Sequence, residues 1–179
     1  MALLGDRESR LLIDGKLVAG SGGTFPTVNP ATEETLGVAA DATVDDIDAA
    51  IGAARRAFDD TDWATNVELR VRCIRQLQQA LRDHADELRE LAIAEVGAPR
   101  MLTSMAQFDG PVEDLSFCAD TAENYQWITD FGIAEPMGIK TRRTIAREAI
   151  GVVGAITPWS LEVTMLTTPA GMSVCSRIN

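Results

Sequence analysis

The stretch that most constrains this chain is Gly151-Val152-Val153-Gly154-Ala155-Ile156-Thr157-Pro158-Trp159. Val152 to Ile156 is short and apolar and runs into a Thr-Pro break, the pattern of a buried strand followed by a loop. In an open α/β sheet, ligands meet the carboxyl ends of the strands, so Thr157-Pro158-Trp159 falls where a ligand would be met. One strand does not make a parallel sheet, and a crossover must precede the next parallel strand. Only twenty residues follow Trp159 in the 179-residue sequence. The expectation is a chain that points to a function it does not perform alone.

Bulk properties narrow the partners. A net charge of −11 disfavours nucleic acid and anionic membrane surfaces. Arg and Lys are dispersed, and no segment approaches the ~20 apolar residues needed to span a bilayer. The start, Met1 to Arg10, lacks the apolar stretch of a signal peptide. Three cysteines, Cys73, Cys118 and Cys175, show no metal-like spacing and fit free thiols in a reducing compartment, so a cytoplasmic location is expected. With His84 the sole histidine, a histidine-rich metal site is excluded.

Leu11 to Val18 carries a hairpin signal, because Asp14-Gly15 supplies the positive φ angles of a tight turn. Thr24 to Val28 and Thr35 to Ala40 are further strands around the turn cluster Asn29-Pro30-Ala31-Thr32. Thr43 caps a helix with Asp46 in the capping-box position. Ile47, Ala50, Ile51, Ala54 and Phe58 form its expected buried stripe. Asp59 to Asp62 closes this helix, and Trp63 anchors the loop.

A second helix is predicted over Val67 to Asp83, with Leu69, Cys73, Ile74, Leu77 and Leu81 inward. A third spans Ala85 to Val96, stopped by Gly97 and Pro99. A fourth helical stretch covers Arg100 to Ile128, with a kink or restart at Gly110-Pro111. Residues 133 to 150 read as two exposed strands. Residues 151 to 179 hold only two charged side chains, Glu162 and Arg177, and residues 161 to 179 read as a poorly specified tail.

The ordered set is specific. Ile13-Asp14-Gly15-Lys16, Thr27-Val28-Asn29-Pro30-Ala31-Thr32, Ala53-Ala54-Arg55-Arg56-Ala57-Phe58 with Trp63, and Glu148 to Trp159 stand in sequence at the right spacing. From about Leu11 to Trp159 the chain resembles the N-terminal third of an NAD(P)-dependent aldehyde dehydrogenase. That resemblance implies an α/β fold: hairpin strands, a helical segment, an oligomerisation ribbon and the first strand of a Rossmann-type sheet. The implied division is 1–132 for part of the coenzyme domain, 133–150 for the ribbon, 151–160 for the first strand and its loop, and 161–179 for a divergent tail.

The family's chemistry needs a cysteine thiolate, a general base and oxyanion donors, with NAD or NADP taking the hydride from an aldehyde. Ile156, Thr157, Pro158 and Trp159 match positions that line the coenzyme cleft. Ser160 stands where the family has an oxyanion-holding asparagine, and Leu161-Glu162 departs from its usual Phe-Pro. Thr27, Val28 and Glu95 match positions around a structural monovalent cation. The sequence holds no glycine-rich phosphate turn, no Gly-Gln-x-Cys segment and no general-base glutamate segment, so the isolated chain is expected to be inactive and to bind no coenzyme tightly. Ser173-Val174-Cys175-Ser176 lacks the nucleophile's context, which favours a plain thiol.

Two classes of function follow: a dehydrogenase fragment, or a non-catalytic module that docks on a full-length relative. Homo- or hetero-association is expected through residues 139–150, where Arg142, Arg143 and Arg147 lie on an exposed strand face.

Overall fold

A computed structural model describes residues 10–157. Pro158, Trp159, Ser160 and Cys175 lie outside the described residues. Two hairpins open the chain. Strand β1 (Arg10–Ile13) pairs antiparallel with β2 (Lys16–Ala19), and Ile13 faces Lys16 across the turn. Asp14 at φ 54° and Gly15 at φ 69° make this the primed turn that the Asp-Gly pair favours. Strand β3 (Thr24–Val28) pairs antiparallel with β4 (Thr35–Ala40), with a register shift at Thr27/Val28. In their connection the Asn29 side-chain oxygen accepts from the N–H groups of Ala31 (2.8 Å) and Thr32 (3.3 Å).

Helix α1 spans Val44–Asp60. The backbone N–H of Thr43 donates to the Asp46 carboxylate at 2.9 Å, as the capping-box reading requires. The expected stripe is only partly buried. Ala54 is buried and Ala50 and Phe58 are half-buried, whereas Ile47 and Ile51 remain 51% and 46% exposed. The helical period identifies an apolar face, but burial needs something packed on that face, and the described residues cover only its C-terminal half.

The core lies between α2 (Val67–Asp83) and α5 (Asp109–Asn124). Trp63, Val71, Ile74, Leu115, Ala119 and Ala122 are buried together there, with Leu69, Cys73, Leu77 and Leu81 packed against them. Asn66 caps α2 by accepting from the Leu69 N–H at 2.9 Å. The buried Gln78 amide donates to the Val112 carbonyl and to the Ser116 hydroxyl, both at 2.8 Å, so this buried polar side chain is satisfied.

Helix α3 (Ala85–Val96) ends at Gly97, which takes the left-handed conformation at φ 71°. The fourth helical stretch is broken. Helix α4 is the single turn Arg100–Leu102, followed by a π-type turn at Thr103–Gln107 before α5 begins. Pro111 sits in the first turn of α5, where its missing N–H costs nothing; deeper in a continuous helix its ring would strike the Gln107 carbonyl.

Helix α5 stops at Asn124, short of the expected Ile128, because Tyr125 is extended. Ile128 instead begins the ribbon. Its strands are β5 (Ile128–Ala134) and β6 (Thr141–Ala146), antiparallel, with Ile128 facing Ala146 and Ala134 facing Thr141. The ribbon therefore starts earlier than residue 133 and ends before residue 150.

The expected strand at Val152 to Ile156 is not formed: residues 151–157 are irregular. A strand exists only through ladder partners, and the described residues offer none beside it.

Candidate functional site

The segment that the sequence matched to the coenzyme cleft begins where the ribbon rejoins the body. The Arg147 N–H donates to the Trp127 carbonyl at 2.8 Å, closing the ribbon's base. Trp127 is held from three sides. Its indole N–H donates to the Ala122 carbonyl at 3.2 Å, the Tyr125 ring meets it edge-on at 4.9 Å, and the Arg70 guanidinium lies 5.5 Å from its centroid. Arg70 also donates to the carbonyls of Trp63 (2.7 Å) and Ala64 (2.8 Å), so one cation ties the loop before α2 to the ribbon base.

The chain then turns inward at Gly151, which is buried at φ 123° against the Arg55 guanidinium. Val152 lines a hollow of about 210 Å³ together with Leu12, Ile13, Ile47, Ile51 and Ala54. Beyond it the segment returns to the surface: Ile156 is 94% exposed and Thr157 is half-buried. Of the four residues assigned to the coenzyme cleft, these two are described, and they stand at the outer end of the segment.

The proposed cation positions are drawn from two elements that meet. An added Cβ at Gly97, just past α3, would lie 3.2 Å from Pro30 in the β3–β4 connection. Thr27 is buried, and its hydroxyl oxygen has no hydrogen-bond partner among the described residues. An orphaned buried oxygen is costly unless something binds it. Val28 is half exposed, and Glu95 is partly buried near the C-terminus of α3. The Thr27 hydroxyl and the Glu95 carboxylate are oxygen groups, the kind that suits a hard cation. Among the described residues no group of three or more His, Cys, Asp or Glu side chains is placed to hold a metal.

Neither described cysteine is exposed. Cys118 is buried in α5, and desolvation, with Asp114 nearby, pushes its thiol above the ordinary value. Cys73 is half-buried on the core side of α2. His84 joins α2 to α3 at the surface, 3.5 Å from Glu87. Sequence reasoning missed Arg55, Gly151 and Trp127 as parts of this site. The signal for Gly151 was present in a glycine directly before an apolar run, but nothing in the sequence named its partner.

The family model described as "Aldehyde dehydrogenase family" matches residues 17–175. The chain belongs to the aldehyde dehydrogenase family. It corresponds to the N-terminal region of that family. The match continues past Trp159, into residues that the sequence reading assigned to a divergent tail.

Among curated aldehyde dehydrogenases, it is 31% identical over 175 residues to aldehyde dehydrogenase 1 of Tanacetum cinerariifolium, covering 95% of this chain and 34% of the relative. To a putative aldehyde dehydrogenase of Bacillus subtilis it is 33% identical over 170 residues, covering 93% and 33%. The crystal structure of Mycobacterium tuberculosis aldehyde dehydrogenase complexed with NAD+ superposes with a TM-score of 0.83 at 26% identity, over 94% of this chain and 34% of that one. An aldehyde dehydrogenase of Bacillus cereus gives 0.82 at 30% identity, over 94% and 34%. The chain thus spans about a third of the length of the relatives it matches. Among the described residues, no helix is long and apolar enough to cross a membrane.

Proposed function

We propose that this chain is the N-terminal part of an NAD(P)-dependent aldehyde dehydrogenase, whose reaction oxidises an aldehyde to a carboxylic acid, and that these 179 residues alone do not catalyse it. The observation that carries the reading is the superposition of nearly the whole chain on one third of an NAD+-complexed aldehyde dehydrogenase. The proposed division assigns 1–132 to the coenzyme domain, the ribbon around 133–150 to subunit association, and 151–160 to the first coenzyme strand and its loop.

Ile156, Thr157, Pro158 and Trp159 would form one wall of the coenzyme cleft, and the bound nicotinamide would accept hydride there. Ser160 would present a single hydroxyl where the family uses an asparagine amide. Thr27, Val28 and Glu95 would hold a monovalent cation, a role that the unpartnered Thr27 hydroxyl favours. A cytoplasmic location belongs to the same reading.

The test is NADH formation from several aldehydes at high protein concentration, with calorimetry against NAD and NADP. No turnover and no micromolar binding are expected; a micromolar dissociation constant, about 8 kcal/mol, would show that the cleft is complete in this chain.

A second reading, a non-catalytic module docking on a full-length relative, is favoured by the ribbon's exposed Ile128, Phe131, Ile133, Met137 and Ile139. Co-purification with a full-length aldehyde dehydrogenase, lost on replacing Ile133 and Ile139 by serine, separates the two.

A further inference from the structure

We infer that Arg55 is a positioning residue for the coenzyme segment: its guanidinium is the plate on which Gly151 lies, and it sets where residues 151–157 leave helix α1. The inference rests on the assignment of that segment proposed above.

The guanidinium is pinned from two directions. Asp59, one turn along α1, accepts from Nε at 2.7 Å and from Nη2 at 2.5 Å, a two-pronged contact that fixes the plane. Phe58 lies under it, with the ring centroid 4.5 Å from Cζ. An exposed ion pair of this spacing contributes little to stability, so rigidity of the plate is its main consequence.

Gly151 occupies a third side. A Cβ there would lie 3.1 Å from Arg55 Nη1, and its φ of 123° is one that side chains rarely adopt. Only a glycine gives the backbone this approach. Gly151 is also buried, while residues 142–150 before it are exposed. The next residue, Val152, is half-buried and lines a hollow together with Ile47, Ile51 and Ala54 of the same helix. The segment therefore meets α1 closely at Arg55, and a hollow opens between the two beyond that point. The contact at Arg55 fixes the place from which the segment sets out toward Ile156 and Thr157. Lysine would keep the charge but not the planar fork.

Backbone 15N relaxation on the full 179-residue chain tests this. Order parameters near 0.85 are expected at Gly151 and Val152, falling below about 0.6 in both Arg55→Ala and Arg55→Lys. Leu115 and Ala119 in the core should stay rigid. Retained order at Gly151 in Arg55→Ala overturns the inference, as does full rescue by lysine, which would make charge alone sufficient. If Arg55→Ala loosens the core as well, Gly151→Ala decides: it leaves α1 intact and should loosen Val152 while the core stays rigid, and an unchanged Val152 refutes the role. Neither readout depends on coenzyme binding, so failure of the dehydrogenase reading, seen by calorimetry, is registered separately.

Discussion

Ser21 donates twice to Asp46 across twenty-five positions of sequence, from its backbone N–H at 2.9 Å and from its hydroxyl at 2.8 Å. Asp46 also accepts from the Thr43 backbone N–H and hydroxyl at 2.9 and 3.1 Å. One carboxylate therefore caps α1 and clasps the loop between the two hairpins. These donors, the Thr43 and Ser21 N–H groups foremost, lower the Asp46 carboxyl to about 2 from its ordinary 3.8.

The folded state thus binds this proton less readily than the unfolded chain. The stabilisation is present in full above the unfolded value and is lost as pH falls through the folded one, so its window runs from about pH 4 down to pH 2. Asp46→Asn should lower the melting temperature at pH 7 and flatten its fall between pH 4 and pH 2. Thermal unfolding across that range by circular dichroism checks both. Thr43→Ala, removing the other half of the cap, is expected to cost about 1 kcal/mol.

Gly97→Ala should destabilise by about 1–2 kcal/mol, because alanine must enter the left-handed region there. Its Cβ would also press on Pro30 at 3.2 Å. Urea unfolding should show a lower midpoint with an unchanged slope.

Leu115→Ala should cost about 2–5 kcal/mol, since Leu115 is buried in the α2–α5 contact and leaves a cavity there. Gln78→Leu should cost about 1–3 kcal/mol, because it strips the amide from the Val112 carbonyl. Both substitutions raise the fraction unfolded in denaturant titrations; Ile156→Ala, on the exposed side, should leave it unchanged within about 0.5 kcal/mol.

A cation held at Thr27 would raise stability with concentration. An ion bound at about 10 mM adds roughly 1.4 kcal/mol at 100 mM. Melting in potassium chloride against tetramethylammonium chloride should show this difference in the native chain and lose it in Thr27→Val. Equal melting temperatures in the two salts would rule the ion out.

Replacing Ile133 and Ile139 by serine should reduce self-association, since these side chains are 72% and 64% exposed on the ribbon. Light scattering at several concentrations measures it; unchanged association would place the contact elsewhere.

What the sequence determined by itself was local. Asp14-Gly15 specified its turn, Thr43 and Asp46 specified the start of α1, and α2 and α3 lie over the residues that their periodicity marked. Each depends on neighbours within a turn or two, and backbone conformation plus side-chain hydrogen bonds suffice to decide it. Pro111 likewise announced the restart of α5, though not the π-type turn before it. What tertiary structure decided were relations between distant residues. Whether Ile47 and Ile51 are buried depends on what covers α1, which helical spacing does not contain. Whether Val152 to Ile156 is a strand depends on a neighbour to pair with. That Gly151 rests on Arg55, nearly a hundred positions earlier, follows from the path of the chain through space; pattern reading weighs residues near in sequence, and this contact joins residues that only the fold brings together.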